Sequence, residues 1–167
     1  MIGRRVKVAL LLLAALVLQQ TLFASIRLAD VYPQLMLLVA VAAAIAGGPE
    51  RGAAVGFVSG LLNDVFLRTP LGLTALTFTL VAFVVGLVQS SVIRSSWWIP
   101  PVTAFVASAA GVLLYAVLAA IVGRSEFVRP RLLVVAAVVA LVNAVLAPPV
   151  VKAMSWAMAE RETSYAR

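Results

Sequence analysis

Residues 56–76 read GFVSGLLNDVFLRTPLGLTAL, and the fold of the chain turns on this stretch. It holds Asp64, the one carboxylate set well inside an apolar run. Gly52, Gly56 and Gly60 precede it at steps of four, so these positions lie along one slowly drifting face of a helix. Glycines so spaced let a neighbouring helix approach closely, as in the small-xxx-small contacts of membrane bundles. One face thus offers close backbone contact and then a carboxylate. Arg68 follows four residues later, within pairing reach of Asp64 if the helix continues. Pro70 stops or redirects the chain, and Leu71-Gly72-Leu73 opens the next run.

Composition sets the class. Of 167 residues, 64% are hydrophobic and only 11% charged, whereas soluble domains carry roughly a quarter charged residues. The expected fold is an all-α integral membrane protein with six transmembrane helices in one bundle, a single domain over 1–167. The chain has no cysteine and no histidine. That excludes disulfides, thiolate or imidazole metal sites, and Ser-His or Cys-His nucleophile pairs. An aspartyl intramembrane protease needs two buried carboxylates, and one is visible. No cofactor is expected. The net charge of +7 does not point to nucleic acid, because the basic residues are scattered at the edges of apolar runs and suit membrane anchoring.

Spans are expected at about 6–26, 31–46, 52–67, 70–93, 99–122 and 132–151. The basic start and apolar run of MIGRRVKVALLLLAALVLQQ resemble a signal peptide, but the run is long and no small-x-small cleavage site clearly follows, so it reads as a retained first span. Of Gln19 and Gln20, one is expected to bond to a neighbouring helix and the other to reach the interface. Trp97 and Trp98 read as an aromatic belt. Pro148-Pro149 should kink or end the sixth span. Residues 150–162 then read as an amphipathic tail lying in the headgroup plane.

Lys and Arg set the expected orientation. With the N-terminus inside, Arg4, Arg5, Lys7, Arg51, Arg94, Lys152, Arg161 and Arg167 fall on the inner side. Arg27, Arg68, Arg124, Arg129 and Arg131 fall on the outer side. Eight against five favours both termini inside and places the Asp64–Pro70 turn outside.

Each interior polar group has two readings. Asp64 either pairs with Arg68 or caps the turn to the next span, or it faces a pocket or partner. A carboxylate at mid-bilayer costs on the order of 2.5–3.5 kcal/mol on insertion scales, which favours a position near a helix end. The glycine stripe beside it shifts the balance toward a shaped, packed site. Asn143 reads first as an interhelical hydrogen bond. Arg124, Arg129 and Arg131 are either a solvated loop or contacts for a negative partner surface.

The order of Pro33 before an apolar run, then Glu50-Arg51-Gly52, G-F-x-x-G-L-x-x-D and P-L-G-L-x-A-L resembles the bacterial rod shape-determining protein MreD family. The matching positions are Pro33, Arg51, Gly52, Gly56, Phe57, Gly60, Leu61, Asp64, Pro70, Leu71, Gly72 and Leu73, about the middle third of the chain. The resemblance implies a non-enzymatic component of the cell-elongation, peptidoglycan-synthesis machinery in the bacterial inner membrane. It implies MreC as partner, with MreB, RodA and its penicillin-binding transpeptidase in the same assembly. It also implies a six-helix fold like that of the substrate-binding subunits of energy-coupling-factor vitamin transporters. Such a vitamin-binding subunit is the rival reading. It typically docks through Ala-x-x-x-Ala in its first helix, and here Ala9–Leu13, Ala14–Leu18 and Ala15–Gln19 all fail that spacing. A small proton-coupled permease using Asp64 is weaker still, with one acid and no visible inverted repeat.

Overall fold

The computed structural model describes residues 3–25, 34–66, 71–91, 98–124 and 132–159. Among them the chain forms six helices and no strand. They are α1 (Arg4–Ser25), α2 (Leu35–Gly47), α3 (Pro49–Phe66), α4 (Leu73–Ser91), α5 (Ile99–Ile121) and α6 (Leu132–Met158). α5 and α6 are long and apolar enough to cross a membrane, and α2 and residues Leu73–Gln89 of α4 are shorter apolar helices.

The centre of the bundle is α2. Every residue from Leu35 to Ile45 is buried, and each of the other five helices packs against it. A helix apolar on all faces has no side to give to water, and here protein rather than lipid surrounds it. At 13 residues it is about 20 Å long, short of the roughly 30 Å hydrocarbon core. The stretch around Asp64 is therefore organised about α2.

Adjacent helices run antiparallel. The turn from α2 to α3 is closed by Gly48, whose φ of +85° is left-handed and whose N–H donates to the Ala44 carbonyl at 3.0 Å. Pro49 opens α3, where a missing N–H costs nothing. The start of α1 meets the end of α6, with Lys7 Nζ 4.5 Å from the centre of the Trp156 ring. The ends of α2 and α4, the start of α5 and the end of α6 share a recess of about 370 Å³ lined by Ile45, Gln89, Pro100 and Ser155.

Of the two outcomes expected at Pro148-Pro149, the helix does not end there: α6 continues through both to Met158, and the residues read as a tail are helical and continuous with it as far as Met158. Both prolines are exposed, and each lacks the N–H that would bond the carbonyl four residues earlier. Membrane helices tolerate such breaks in the hydrogen-bond ladder.

Candidate functional site

Asp64 lies in the last turn of α3 and is 1% exposed. Its carboxylate accepts three backbone N–H groups from the start of α4: Gly72 to Oδ2 at 2.9 Å, Thr74 to Oδ1 at 3.3 Å and Ala75 to Oδ2 at 3.3 Å. The carbonyl of Gly72 accepts from Leu76 N at 2.8 Å, which makes Gly72 the cap residue of α4. Caps are ordinarily Ser, Thr, Asp or Asn, whose side chain takes the N–H of the second or third helical residue. Gly72 has no side chain and adopts a φ of +98°, the left-handed region that glycine tolerates. Asp64 supplies the missing oxygens from the preceding helix. Its negative charge also meets the positive end of the α4 dipole. The bonds to α4 are those of a cap built across two helices.

The glycine stripe brings Asp64 to that position. A Cβ on Gly52 would lie 2.6 Å from Cα of Ala44 on α2. One on Gly56 would lie 2.7 Å from the Phe78 carbonyl oxygen of α4, and one on Gly60 would fall on the Ala75 backbone. Each atom met is main chain or Ala44 Cβ, so nothing flexible can move aside. Gly86 extends the same contact, since a Cβ there would fall on Pro49. α3 and α4 are thus in backbone contact along most of their length, with Asp64 at the end of the seam.

A second polar group forms beside it. Gln19 of α1 donates through Nε2 to Asn63 Oδ1 at 2.9 Å and accepts the Met36 N–H at 3.0 Å. It thereby ties α1 to α3 and caps the first turn of α2, while Gln20 is exposed. Asn143 of α6 is fully buried and donates through Nδ2 to Ser108 Oγ of α5 at 2.8 Å and to the Gln34 carbonyl at 3.3 Å. Its Oδ1 is buried without a partner. At the opposite end, Gln89 of α4 donates to Thr103 Oγ1 of α5 at 2.9 Å.

The contact between α4 and α5 is looser. It opens into an apolar groove of about 530 Å³ lined chiefly by Val84, Val88, Val102, Val106 and Leu114. Arg124 is exposed just beyond α5. Arg68, Pro70, Arg129 and Arg131 lie outside the described residues. The sequence reading missed Asn63 and Gly86. Asn63 borders Asp64, but its partner is 44 residues away, and Gly86 lies off the four-residue stripe. Among the described residues no three Asp or Glu side chains cluster as a metal site would require.

No curated protein and no solved structure matches this chain significantly. The model of the family described as rod shape-determining protein MreD matches residues 1–156, well beyond the middle third that carries the motif. The chain belongs to the MreD family of rod shape-determining proteins.

Proposed function

We propose that the chain is a non-enzymatic scaffold of the cell-elongation machinery, with all six helices crossing the bacterial inner membrane and both termini in the cytoplasm. It binds MreC and links it to the other membrane components of peptidoglycan synthesis, among them RodA and its penicillin-binding transpeptidase, with MreB on the inner face. The family match over residues 1–156 carries this reading. The local chemistry supports it. The polar side chains at the heart of the bundle hold helices together: Asp64 binds the start of α4, Gln19 joins α1, α2 and α3, and Asn143 joins α5 and α6. On this reading Gly52, Gly56, Gly60 and Gly72 shape the packed frame, and Arg124, Arg129 and Arg131 offer a positive outer surface to a partner.

The test is affinity purification of the tagged chain from native membranes. MreC should co-purify in stoichiometric amount, and loss of the chain should turn rods into spheres. Recovery of the chain without MreC would overturn this reading, and a stoichiometric vitamin found by mass spectrometry would replace it with that of a vitamin-binding subunit.

A further inference from the structure

Two lysines far apart in the sequence, Lys7 and Lys152, come to the same end of the bundle. Lys7 of α1 stacks on Trp156 of α6. Lys152 stands one turn before Trp156 on the same exposed stripe of α6, and Arg5 is exposed in the first turn of α1. Arg51 lies at this end on the inner side of α6, since its side chain and the sulfur of buried Met158 both lie against Gly47. Trp156 is 63% exposed, whereas Met154, Ala157 and Met158 around it are buried. The indole is therefore presented outward by a helix end whose other face is anchored in the core.

We propose that this corner of α1 and α6 is a binding site for the phosphate headgroup of an anionic phospholipid. The charge is complementary, with Lys7 and Lys152 on either side of Trp156 and no carboxylate among the described residues of α1 or α6. The surface leading to it has the matching polarity. Along α6 the exposed stripe runs Leu141, Val145, Pro148, then Lys152 and Trp156. Along α1 the exposed stripe runs Val17, Leu13, Leu10 and Val6, ending in the turn that carries Lys7. Two aliphatic tracks thus end at a cationic and aromatic head, the order in which a phospholipid presents chains and phosphate. A lysine ammonium binds phosphate as a compact point charge, and stacking on an indole within about 6 Å holds it in place while leaving N–H donors for an anion. Basic pockets between membrane helices bind lipid headgroups in this way, and Trp favours the same depth. An acidic protein segment would need the charge but not the aliphatic tracks.

The full chain is reconstituted in nanodiscs of equal phosphatidylglycerol and phosphatidylcholine, re-extracted, and its retained lipids are read by native mass spectrometry. Wild type should retain phosphatidylglycerol about 25-fold over phosphatidylcholine, since each of the two lysines near the surface contributes roughly five-fold. The double variant Lys7→Gln/Lys152→Gln should bring the ratio to within about two-fold. Lys7→Arg/Lys152→Arg keeps the charge and should keep the enrichment, which separates lost binding from lost folding. Arg124→Gln, at the other end of the bundle, should leave it unchanged. Equal retention of the two lipids by wild type, or enrichment that survives Lys7→Gln/Lys152→Gln, overturns the proposal. Complete displacement by inorganic phosphate, against chloride of equal ionic strength, overturns it in favour of a free-phosphate site. Binding of an acidic peptide without lipid preference overturns it in favour of protein docking.

Discussion

The two faces of α4 are built on different principles. Toward α3 it presents backbone: Gly56, Gly60 and Gly86 remove every side chain that would keep the helices apart, and Asp64 closes the end of the contact with three hydrogen bonds. Toward α5 it presents Val84 and Val88, and the two helices splay into a groove of about 530 Å³, joined at one end by Gln89 and Thr103. Lipid tails are as apolar as valine, so apolar surface alone does not drive helices together in a bilayer. Close packing and hydrogen bonds must do so. The α3–α4 contact has close packing along its length and three hydrogen bonds at its end, while the α4–α5 contact has one hydrogen bond among the described residues and little close packing. The first is a fixed frame, and the second leaves a surface that a partner helix or lipid can fill.

The most damaging way to break this contrast is to put bulk into the frame. Gly60→Leu should abolish folding, because the new side chain meets Ala75 backbone and the cost reaches or exceeds the roughly 1–3 kcal/mol usual for overpacking a core. Yield and monodispersity in mild detergent check it. A Gly60→Leu protein of normal yield would mean that α3 and α4 do not touch here.

Removing the cap should come next. Asp64→Ala leaves buried donors on α4, each at a cost of about 1–3 kcal/mol. Asp64→Asn should fall between Ala and wild type, since it keeps one acceptor oxygen and loses the charge that meets the helix dipole. Thermal unfolding in detergent would rank the three. A wild-type midpoint for Asp64→Asn, together with undiminished MreC recovery, would return Asp64 to the standing of an ordinary helix-end carboxylate.

How far the sequence reveals this contrast depends on the separation between partners. The four-residue spacing of Gly52, Gly56 and Gly60 is legible because a helix converts it directly into a face, and Asp64 is legible as the next step along it. Its binding to α4 is only half legible. Arg68 is the nearest charge in sequence, but the start of α4 is an array of N–H donors that no residue name records. The bond from Asn143 to the Gln34 carbonyl spans 109 residues and one to Ser108 spans 35, so the local pattern shows a buried polar group and hides its partners. The central place of α2 escapes for another reason. Its run of Leu, Val and Ala reads the same whether lipid or protein surrounds it. Pro148-Pro149 leaves two outcomes open in the sequence, a kink or an end, and the helix that continues through them narrows these to the first or to none, as the tolerance of membrane helices for a broken hydrogen-bond ladder allows.

Two smaller changes sharpen the comparison. Ser108→Ala removes an interhelical hydrogen-bond acceptor, and such bonds within membranes average about 0.6 kcal/mol, so a small drop in the unfolding midpoint is expected. Val84→Ala in the groove should change stability by less than about 0.5 kcal/mol, as is usual for exposed positions. If a partner helix fills that groove, the same substitution should weaken partner recovery with stability unchanged. A loss of stability at Val84 comparable to that at Asp64 would erase the distinction between the two faces.

Capping α4 from α3 also has a consequence for the order of assembly. The bonds from Asp64 close loops of only eight to eleven residues, and the glycine contacts extend the same antiparallel pair. Short loops cost little entropy to close and form early. During synthesis this hairpin has all its parts once residue 91 has been made, before α5 or α6 exists. The bonds of Asn143 must wait for the last helix. Chains truncated after α4 should therefore already protect the Asp64 turn from proteolysis, and the later helices then assemble onto a hairpin that is already closed.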